Sequence, residues 1–524
     1  MDRPADSLPD DIDALRALAS TAIAERDAAI AERDRLIELN DRLRRLLRKA
    51  QGFETKSERL AKLHPDQLNL ALEDIEQTIA KAEAIEEKMQ AVAVVRKRRI
   101  NRGALPAHLP RLHETVTPAD TNCPCCRQPM HVIGEETSER LDVIPAQYRV
   151  IVTHRPRLAC RACERIVQAP APEHLIKSGL PTEAMVASVL VAKYGWHLPL
   201  YRQAKMLAAQ GLDLDRSTLA FWVGYAAAEL VPLYERLKAN LLTSAKLAVD
   251  ETPVPVLDPG RGQTKTGYFW AIARDDRPWS GADPPEPPAV VYTYAPGRGG
   301  EHLDKLLADY RGIVQCDGYA PYKKLPADRI TVAFCWSHLR REFFKIAERG
   351  DAPIGTEAVA RIAQIYAVEK DVRGARADER RAVRQARSRP VVDALKMFFE
   401  HQLTRLAGGS ETAKIIRYGL RHWDGLTRFL DDGRIELDTN IVERSMRPQA
   451  LTRKNALFAG HDDGAENWAI LASLIETAKL SGIDPQAWLA DILARLVNLW
   501  PNNRLDELLP WTWAAVRQQR QRAA

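Results

Sequence analysis

The sequence predicts a multidomain protein in which helical segments surround one α/β domain. Three observations predict this class. The chain has 524 residues, too many for a single core, and its length alone favours three or four domains. Five of its seven cysteines lie within residues 123–163. Near residue 245 the apolar residues change from helical spacing to short runs that are typical of strands.

The composition is that of an ordinary soluble globular protein, with 45% hydrophobic and 28% charged residues. No apolar run approaches the roughly 18 residues of a membrane span, and the acidic N-terminus does not resemble a secretory signal. We therefore expect a cytoplasmic protein that does not bind membranes. The net charge of +6 permits nucleic-acid binding without requiring it. Arginine-rich stretches at 96–102 and 373–389 could serve such binding or could be solvated helix faces.

Residues 1–102 are predicted to form a helical, coiled-coil-like region. Ile23, Ile30 and Ile37 stand seven residues apart, and leucines continue with similar spacing. This pattern favours self-association into at least a dimer. A helical hairpin with residues 66–95 within one chain is the alternative.

Residues 103–175 are predicted to form a small zinc module. Two Cys-x-x-Cys turns can present four thiolates to one Zn²⁺, which leaves no open position and indicates a structural role. The predicted ligands are Cys123, Cys126, Cys160 and Cys163. Cys125 could replace a neighbouring ligand, and buried free thiols are the alternative. Cys335 and His338 form a similar pair, but no second pair stands nearby in the sequence, and a packed strand end is the interpretation we favour.

Residues 176–243 are predicted to be helical, with a helix-turn-helix outline. One helix ends before a turn at Gly211, and a second is expected to be capped near Ser217 or Thr218. Any helical hairpin shares this outline, so it is weak evidence for DNA binding by itself.

Residues 244–460 are predicted to form the α/β domain. Three short strands, a helix at 301–309 and two further strands follow one another, and a charged helical insertion is expected at about 345–430. Residues 461–524 are predicted to form a helical C-terminal region, in which Asp484 caps one helix.

Two aspartates are expected at the ends of strands in this domain. Asp250 ends the first predicted strand and Asp317 the fourth, so both side chains would emerge at one sheet edge if these strands are neighbours. Glu443, on a later helix, is the third candidate. Three carboxylates can hold two Mg²⁺ ions about 3.5–4 Å apart, and such a pair supports in-line displacement at phosphorus. Glu251 is expected to point away from Asp250 and to be a bystander.

Each acid also has a structural alternative. Asp250 could be a turn residue ahead of Pro253, and Asp317 precedes a glycine as in many tight turns. Glu443 could belong to a capping box with Asn440 as the N-cap.

Several stretches occur in the order that a known family shows. They are "VDETPV", "CDGYAPY", "CWSHLRREF", "LDTNIVERSMRPQALTRKNALFAG" and "GIDPQAWL…LDELLPW". Together they resemble the transposases of the insertion sequence 66 family, over nearly the whole chain. The resemblance implies a DDE transposase with a ribonuclease H-like catalytic domain at 244–460, in which Asp250, Asp317 and Glu443 bind Mg²⁺ or Mn²⁺.

The resemblance also implies double-stranded DNA as the partner, both as transposon ends and as target. The enzyme would cleave the ends and join the 3′-OH to target DNA. A catalytically silent DNA-binding protein or regulator derived from such a transposase is the alternative. The expected phosphate or DNA contacts are Asn440, Arg444, Arg447, Arg453 and Lys454. Pro448 should end or kink the helix that carries them.

Overall fold

The computed structural model of the protein describes residues 110–113, 115, 125–129, 147–176, 179–258, 263–280, 285–350 and 352–523. The chain divides into two units, Met1–Val152 and Thr153–Ala524. The predicted coiled-coil region and Cys123 lie outside the described residues. Among the helices that are described, none has the length and apolar character required to cross a membrane.

The second unit begins with a short antiparallel hairpin, formed by β1 (Arg157–Ala159) and β2 (Ile166–Gln168). Cys160 and Cys163 lie in the turn that joins these strands. The Cys160 amide donates to the Arg165 carbonyl at 2.9 Å, which closes the turn. Both thiols are exposed. Cys125 and Cys126, in the first unit, also lie in an exposed turn.

Three helices follow the hairpin, in the region predicted to be helical. They are α1 (Glu183–Leu190), α2 (Leu200–Ala208) and α3 (Arg216–Leu242). Gly211 lies in the predicted turn between α2 and α3 and has a φ of +80°, which glycine adopts without a steric penalty.

The predicted cap of α3 is wrong by two or three residues. The N-cap is Asp215, whose carboxylate accepts a hydrogen bond from the Ser217 amide at 2.6 Å, so neither Ser217 nor Thr218 caps the helix. Much of α3 is buried, including Trp222 and Leu230. This helix therefore belongs to the core of the unit along much of its length.

A five-stranded mixed sheet forms the centre of the unit, in the order β5-β4-β3-β6-β7. Its strands are β3 (Lys246–Asp258), β4 (Gln263–Arg274), β5 (Ala289–Ala295), β6 (Gly312–Cys316) and β7 (Ile330–Phe334). The central strand β3 is antiparallel to β4 and parallel to β6. These five strands were all predicted from the sequence.

The prediction that Asp250 ends the first strand of this sheet is wrong, because β3 continues to Asp258. Two prolines, Pro253 and Pro255, lie within the extension. Backbone amides two residues apart in a strand point in the same direction, so the nitrogens of Pro253, Pro255 and Leu257 share one side of β3. The Leu257 amide donates to the Ala459 carbonyl rather than to β4. The missing N–H groups of the two prolines therefore face away from β4, and the ladder between β3 and β4 does not lose a donor there.

Helices follow β5 and β7. They are α4 (Gly300–Leu306), α5 (Trp336–Ala347), α6 (Pro353–Val372), α7 (Ala377–Val383), α8 (Arg389–Arg405), α9 (Glu411–Arg421) and α10 (Trp423–Thr427). Helices α5, α6, α8, α9 and α10 share a second hydrophobic core, in which Phe343 stacks on Phe399 with ring centroids 5.1 Å apart. The arginine-rich stretch 373–389 belongs to this layer, and its Arg380 and Arg384 are buried rather than solvated.

The C-terminal helices are α11 (Asn440–Ala456), α12 (Asp462–Leu480), α13 (Pro485–Val497) and α14 (Pro510–Ala523). Helix α12 lies along the edge strand β5. The hydroxyls of Ser473 and Thr477 accept hydrogen bonds from the Tyr292 and Val290 amides at 2.8 and 3.1 Å. This arrangement covers a sheet edge that would otherwise be open to pairing. Asp484 caps α13, as predicted.

Candidate active site

The sheet brings Asp250 and Asp317 to one place. Strands β3 and β6 are parallel, with Lys246 opposite Ile313 and Ala248 opposite Gln315. Continued by two residues, this register places Asp250 beside Asp317, which directly follows β6. Residues in register on parallel strands project to the same face of a sheet. The two strands are therefore neighbours, which was the condition for the two aspartates to meet.

Glu443 reaches the same site from the first turn of α11, which packs against β3 and β4. The pKa of Asp250 is raised to about 7, first by burial, then by the charge of Glu251, and further by the charges of Asp317 and Glu443. The charges of the other three carboxylates thus all act on Asp250.

The capping alternative for Glu443 does not match the helix. The N-cap of α11 is Thr439 rather than Asn440, which places Glu443 one position beyond the residue that completes a capping box. The Thr439 hydroxyl instead donates to the Glu443 carboxylate at 3.3 Å, and the Asn440 side-chain amide donates to Asp438 at 2.6 Å. The Glu443 carboxylate is thus oriented by a hydroxyl and does not bond the N-cap amide.

Glu251 is more than a bystander. Its carboxylate is 1% exposed and accepts hydrogen bonds from the Arg298 guanidinium and the Tyr322 hydroxyl, both at 2.7 Å. Arg298 also lies over the ring of Tyr319, 3.8 Å from its centroid. Because Tyr319 and Tyr322 belong to the segment that follows Asp317, Glu251 fixes that segment against β3. Sequence reasoning missed this network, whose only signal was the pair of tyrosines in "CDGYAPY".

The predicted phosphate contacts differ in their surroundings. Arg444, Arg447 and Lys454 are exposed on α11. Arg453 donates to the Thr252 hydroxyl at 3.0 Å and to the Pro253 carbonyl, so it ties α11 to β3. The residues Asn440 and Arg444 also line a cavity of about 290 Å³, whose other walls include Lys246, Glu369, Glu436 and Asp438.

Of the two outcomes expected at Pro448, an end or a kink of the helix, the structure contradicts the first. Helix α11 continues through Pro448 to Ala456. A proline in a helix removes one backbone hydrogen bond. The buried face of α11, which includes Val442 and Met446, packs on the sheet on the N-terminal side of the proline, and Gln449 and Thr452 are buried beyond it. We attribute the continuation of the helix to this packing on both sides.

A second group of potential ligands adjoins Glu443. Cys335 is buried directly after β7, as the strand-end interpretation expected, and its sulfur accepts a hydrogen bond from the Thr439 amide at 3.3 Å. His338 Nδ1 lies 4.0 Å from a Glu443 oxygen. The potential ligand atoms of Cys335, His338 and Glu443 all lie within 4.8 Å of one another. The sequence showed the Cys-x-x-His pair but gave no indication that Glu443 is its neighbour.

The predicted zinc ligands are only partly described. Cys123 lies outside the described residues, Cys126 belongs to the first unit, and Cys160 and Cys163 belong to the second. The backbone amides of Cys163 and Ala162 lower the pKa of the Cys160 thiol, which favours the thiolate form that binds metal.

Comparison with known protein families gives four matches along the chain. The model described as "Transposase IS66 family" matches residues 178–467, more than half of the sequence. The chain belongs to the IS66 transposase family. The zinc-finger binding domain of transposase IS66 matches residues 120–164, which supports a structural zinc in this IS66 transposase. The IS66 C-terminal element matches 473–511, and a model described as "Transposase C of IS166 homeodomain" matches 38–113.

Similar proteins from Sinorhizobium fredii (strain NBRC 101917 / NGR234) extend over most of this IS66 family member. The uncharacterized protein y4jD is 44% identical over 471 residues, which is 88% of this chain and 92% of the relative. The uncharacterized protein y4qI is 38% identical over 536 residues, covering 97% of this chain and 98% of the relative. The uncharacterized protein y4hP is 38% identical and covers 87% of this chain and 86% of the relative.

Proposed function

We propose that this protein is an active DNA transposase that cleaves transposon ends and joins the freed 3′-OH to target DNA. Asp250, Asp317 and Glu443 are its catalytic acids. The observation that carries the proposal is geometric: the register of β3 and β6 places Asp250 beside Asp317, and α11, which carries Glu443, packs against β3. A ribonuclease H-like fold for the catalytic domain is part of the proposal, and the mixed sheet with β3 at its centre supports it.

The three acids fit a divalent cation. Carboxylate oxygens are the donors that Mg²⁺ and Mn²⁺ prefer. Burial and the neighbouring acids disfavour the charge of Asp250, as its raised pKa shows, and a bound cation would offset both effects. Asp250, Asp317 and Glu443 would hold two Mg²⁺ or Mn²⁺ ions, which activate an attacking oxygen and stabilise the departing one in phosphoryl transfer.

The protein's own residues orient this carboxylate set. The Tyr319 amide donates to Asp317 at 2.9 Å, and the Thr439 hydroxyl donates to Glu443 at 3.3 Å, so each carboxylate has one of its rotamers favoured. Glu251 keeps the segment after Asp317 in place through Arg298 and Tyr322. Preorganisation of this kind spares the site from reordering its ligands during the reaction.

The exposed cations Arg444, Arg447 and Lys454 extend along α11 from the site, and we propose that they contact DNA phosphates. The Arg453 guanidinium is hydrogen-bonded to β3, so we propose that it holds α11 against the sheet and does not bind DNA. The zinc module at 103–175 and the helices at 176–243 are proposed to bind DNA, and self-association into at least a dimer through 1–102 would bring two ends together. A cytoplasmic protein associated with DNA follows from this proposal.

A cleavage and strand-transfer assay tests the proposal. The purified full chain, incubated with Mg²⁺ and DNA that carries the ends of its own element, should yield nicked ends and joined products. Asp317→Asn should lower both by about 10²-fold or more, because it removes one of the acidic ligands. Asp309→Asn is the matched control, since Asp309 is exposed and lies outside the site.

The outcomes separate the candidate functions. DNA binding without cleavage, in the wild type as in Asp317→Asn, would favour the silent DNA-binding regulator. Nicking without joined products would indicate a nuclease and refute the transposition step. Equal cleavage by Asp317→Asn and Asp309→Asn would remove Asp317 from the mechanism.

A further inference from the structure

The cluster of Cys335, His338 and Glu443 brings together the three ligand types that zinc prefers. Cys335 comes from the end of β7, His338 from the first turn of α5, and Glu443 from the first turn of α11. Their sulfur, nitrogen and oxygen atoms lie within 4.8 Å of one another. Ligands of one tetrahedral zinc ion are only slightly closer together, given Zn–S and Zn–N bonds of about 2.3 and 2.0 Å. Small side-chain rotations would therefore close the site.

The imidazole of His338 supplies an independent observation. Its Nδ1 atom is buried and makes no hydrogen bond to any residue that the structure describes, although Glu443 lies 4.0 Å away. A buried polar atom without a partner is unfavourable, and in native proteins it commonly indicates a role that the apo protein does not show. The Glu443 carboxylate and the Cys335 sulfur both lie close to this ring, so a cation bound by all three residues would give Nδ1 the partner that it lacks.

The donor set discriminates between metals. Mg²⁺ prefers oxygen ligands, whereas thiolate and imidazole favour Zn²⁺ and other late first-row ions. We propose that Cys335, His338 and Glu443 form a binding site for one Zn²⁺ ion. We further propose that this ion inhibits the enzyme by withdrawing Glu443 from the carboxylate set. The inhibitory part rests on the function proposed above, but the binding site does not.

Binding of Zn²⁺ at this site releases one proton. The Cys335 thiol releases its proton to solvent, and the thiolate, the neutral imidazole and the carboxylate each donate one electron pair to the ion. A fourth position remains for water, because the cluster supplies three protein ligands. The hydrogen bond from the Thr439 amide to the Cys335 sulfur would persist and would stabilise the thiolate.

Cobalt binding tests the site without any measurement of activity. The full chain, loaded with a single equivalent of Zn²⁺ to fill the Cys-x-x-Cys module, is titrated with Co²⁺, and the thiolate-to-cobalt absorption band in the near ultraviolet is recorded. We expect one additional equivalent bound per chain. The band should be lost in Cys335→Ser and its apparent affinity lowered about tenfold or more in His338→Gln. Cys316→Ser is the matched control, because Cys316 is also buried, as the last residue of β6, but lies outside the cluster.

The alternative results are distinct. Equal bands in Cys335→Ser, Cys316→Ser and the wild type would mean that cobalt only replaces zinc in the Cys-x-x-Cys module, and would overturn the proposal. Absence of any band in the wild type would overturn it as well. His338→Gln changes a partly exposed side chain, so it keeps the test decisive if Cys335→Ser fails to fold.

Inhibition is measured separately in the Mg²⁺-dependent cleavage assay. Zn²⁺ at micromolar concentration should reduce cleavage by the wild type and Cys316→Ser at least tenfold, relative to the rate of each protein in Mg²⁺ alone. Cys335→Ser should lose most of this inhibition. Equal inhibition of all variants would overturn the inhibitory part. If no protein cleaves DNA while cobalt binding depends on Cys335, the transposase proposal fails and the metal site stands.

Discussion

Two groups of buried carboxylates in this protein differ in whether cationic side chains pair with them and in the direction in which their pKa values shift. In the helical layer, Arg384 donates to both oxygens of Glu369 at 2.7 Å, and Arg380 forms an ion pair with Glu436 at 2.7 Å. Burial alone would raise the pKa of Glu436, but the charges of Lys246 and Arg380 outweigh it and lower that pKa. In the carboxylate site the pKa of Asp250 is instead raised, first by burial and then by the charges of Glu251, Asp317 and Glu443.

The comparison indicates which charges hold the fold and which are available for chemistry. Arginines pair with the acids of the helical layer, so those charges link α6 to α7 and to the π-helical turn Arg384–Ser388 that follows α7. In the carboxylate site, the charges of Asp317 and Glu443 add to the effect of burial and of Glu251 on Asp250, and we propose that this unmatched charge is what binds a cation. Glu251 is intermediate between these two groups. Arg298 pairs with it, but burial and then the charge of Asp317 raise the pKa of its carboxyl.

The largest expected effect lies in the matched network. Arg384→Ala should lower the free energy of unfolding by about 3–5 kcal/mol, because it leaves the Glu369 carboxylate buried without its bidentate partner. Urea unfolding followed by circular dichroism measures this change. Arg387→Ala is the control: its pair with Asp371 is about half exposed on both sides, so the loss should stay below about 1 kcal/mol. Equal losses in both variants would show that the buried network adds no special stability.

A smaller effect is expected where the helical layer meets the carboxylate site. A Cβ atom on Gly318 would collide with the Tyr418 hydroxyl and would lie 2.8 Å from His422 Nε2, so in Gly318→Ala these side chains or the segment after Asp317 must shift. We expect a loss of about 1–3 kcal/mol in stability, together with weakened cleavage. Thermal unfolding and the cleavage assay measure the two effects.

Tyr418→Phe provides the test of the cause. Combined with Gly318→Ala it removes the colliding hydroxyl, so the double variant should recover part of both losses. No recovery would mean that the contact with His422, or the backbone itself, is the reason glycine is needed at this position.

The sequence predicted the parts of the site that depend on strand pattern. The five strands and the turn at Gly211 follow from local periodicity and turn residues, whereas the pairing of β3 with β6 was only a condition of the prediction, because strand order is set by long-range pairing. It did not predict contacts made over long separations, such as Glu443 beside Cys335 and His338, because these depend on how α11 packs against the sheet. It also could not show that Arg380 and Arg384 are buried, because the periodicity of a charged helix does not identify its partner acids.

The last prediction concerns the carboxylate site, whose charges have fewer cationic partners, and its size depends on pH. Asp250 has a pKa of about 7 in the folded protein and 3.8 as its reference value, so the folded state binds a proton more tightly than the unfolded state does. Stability therefore falls as pH rises through this window, and the full penalty of the charged form is present above pH 7. In buffer without added Mg²⁺, Asp250→Asn should raise stability at pH 8 by about 2 kcal/mol, less than the full shift implies because the site is partly hydrated.

The same substitution also tests whether the unmet charge is what binds the cation. The stabilisation by Asp250→Asn should shrink as pH falls towards 4, where Asp250 is neutral in the folded state and increasingly neutral in the unfolded state. Mg²⁺ should raise the melting temperature of the wild type at pH 8, because it binds only the folded state, and should have little effect on Asp250→Asn. A destabilised Asp250→Asn at pH 8 would show that neighbouring groups already compensate the Asp250 charge. The contrast with the arginine-matched network would then fail, because both regions would be structural.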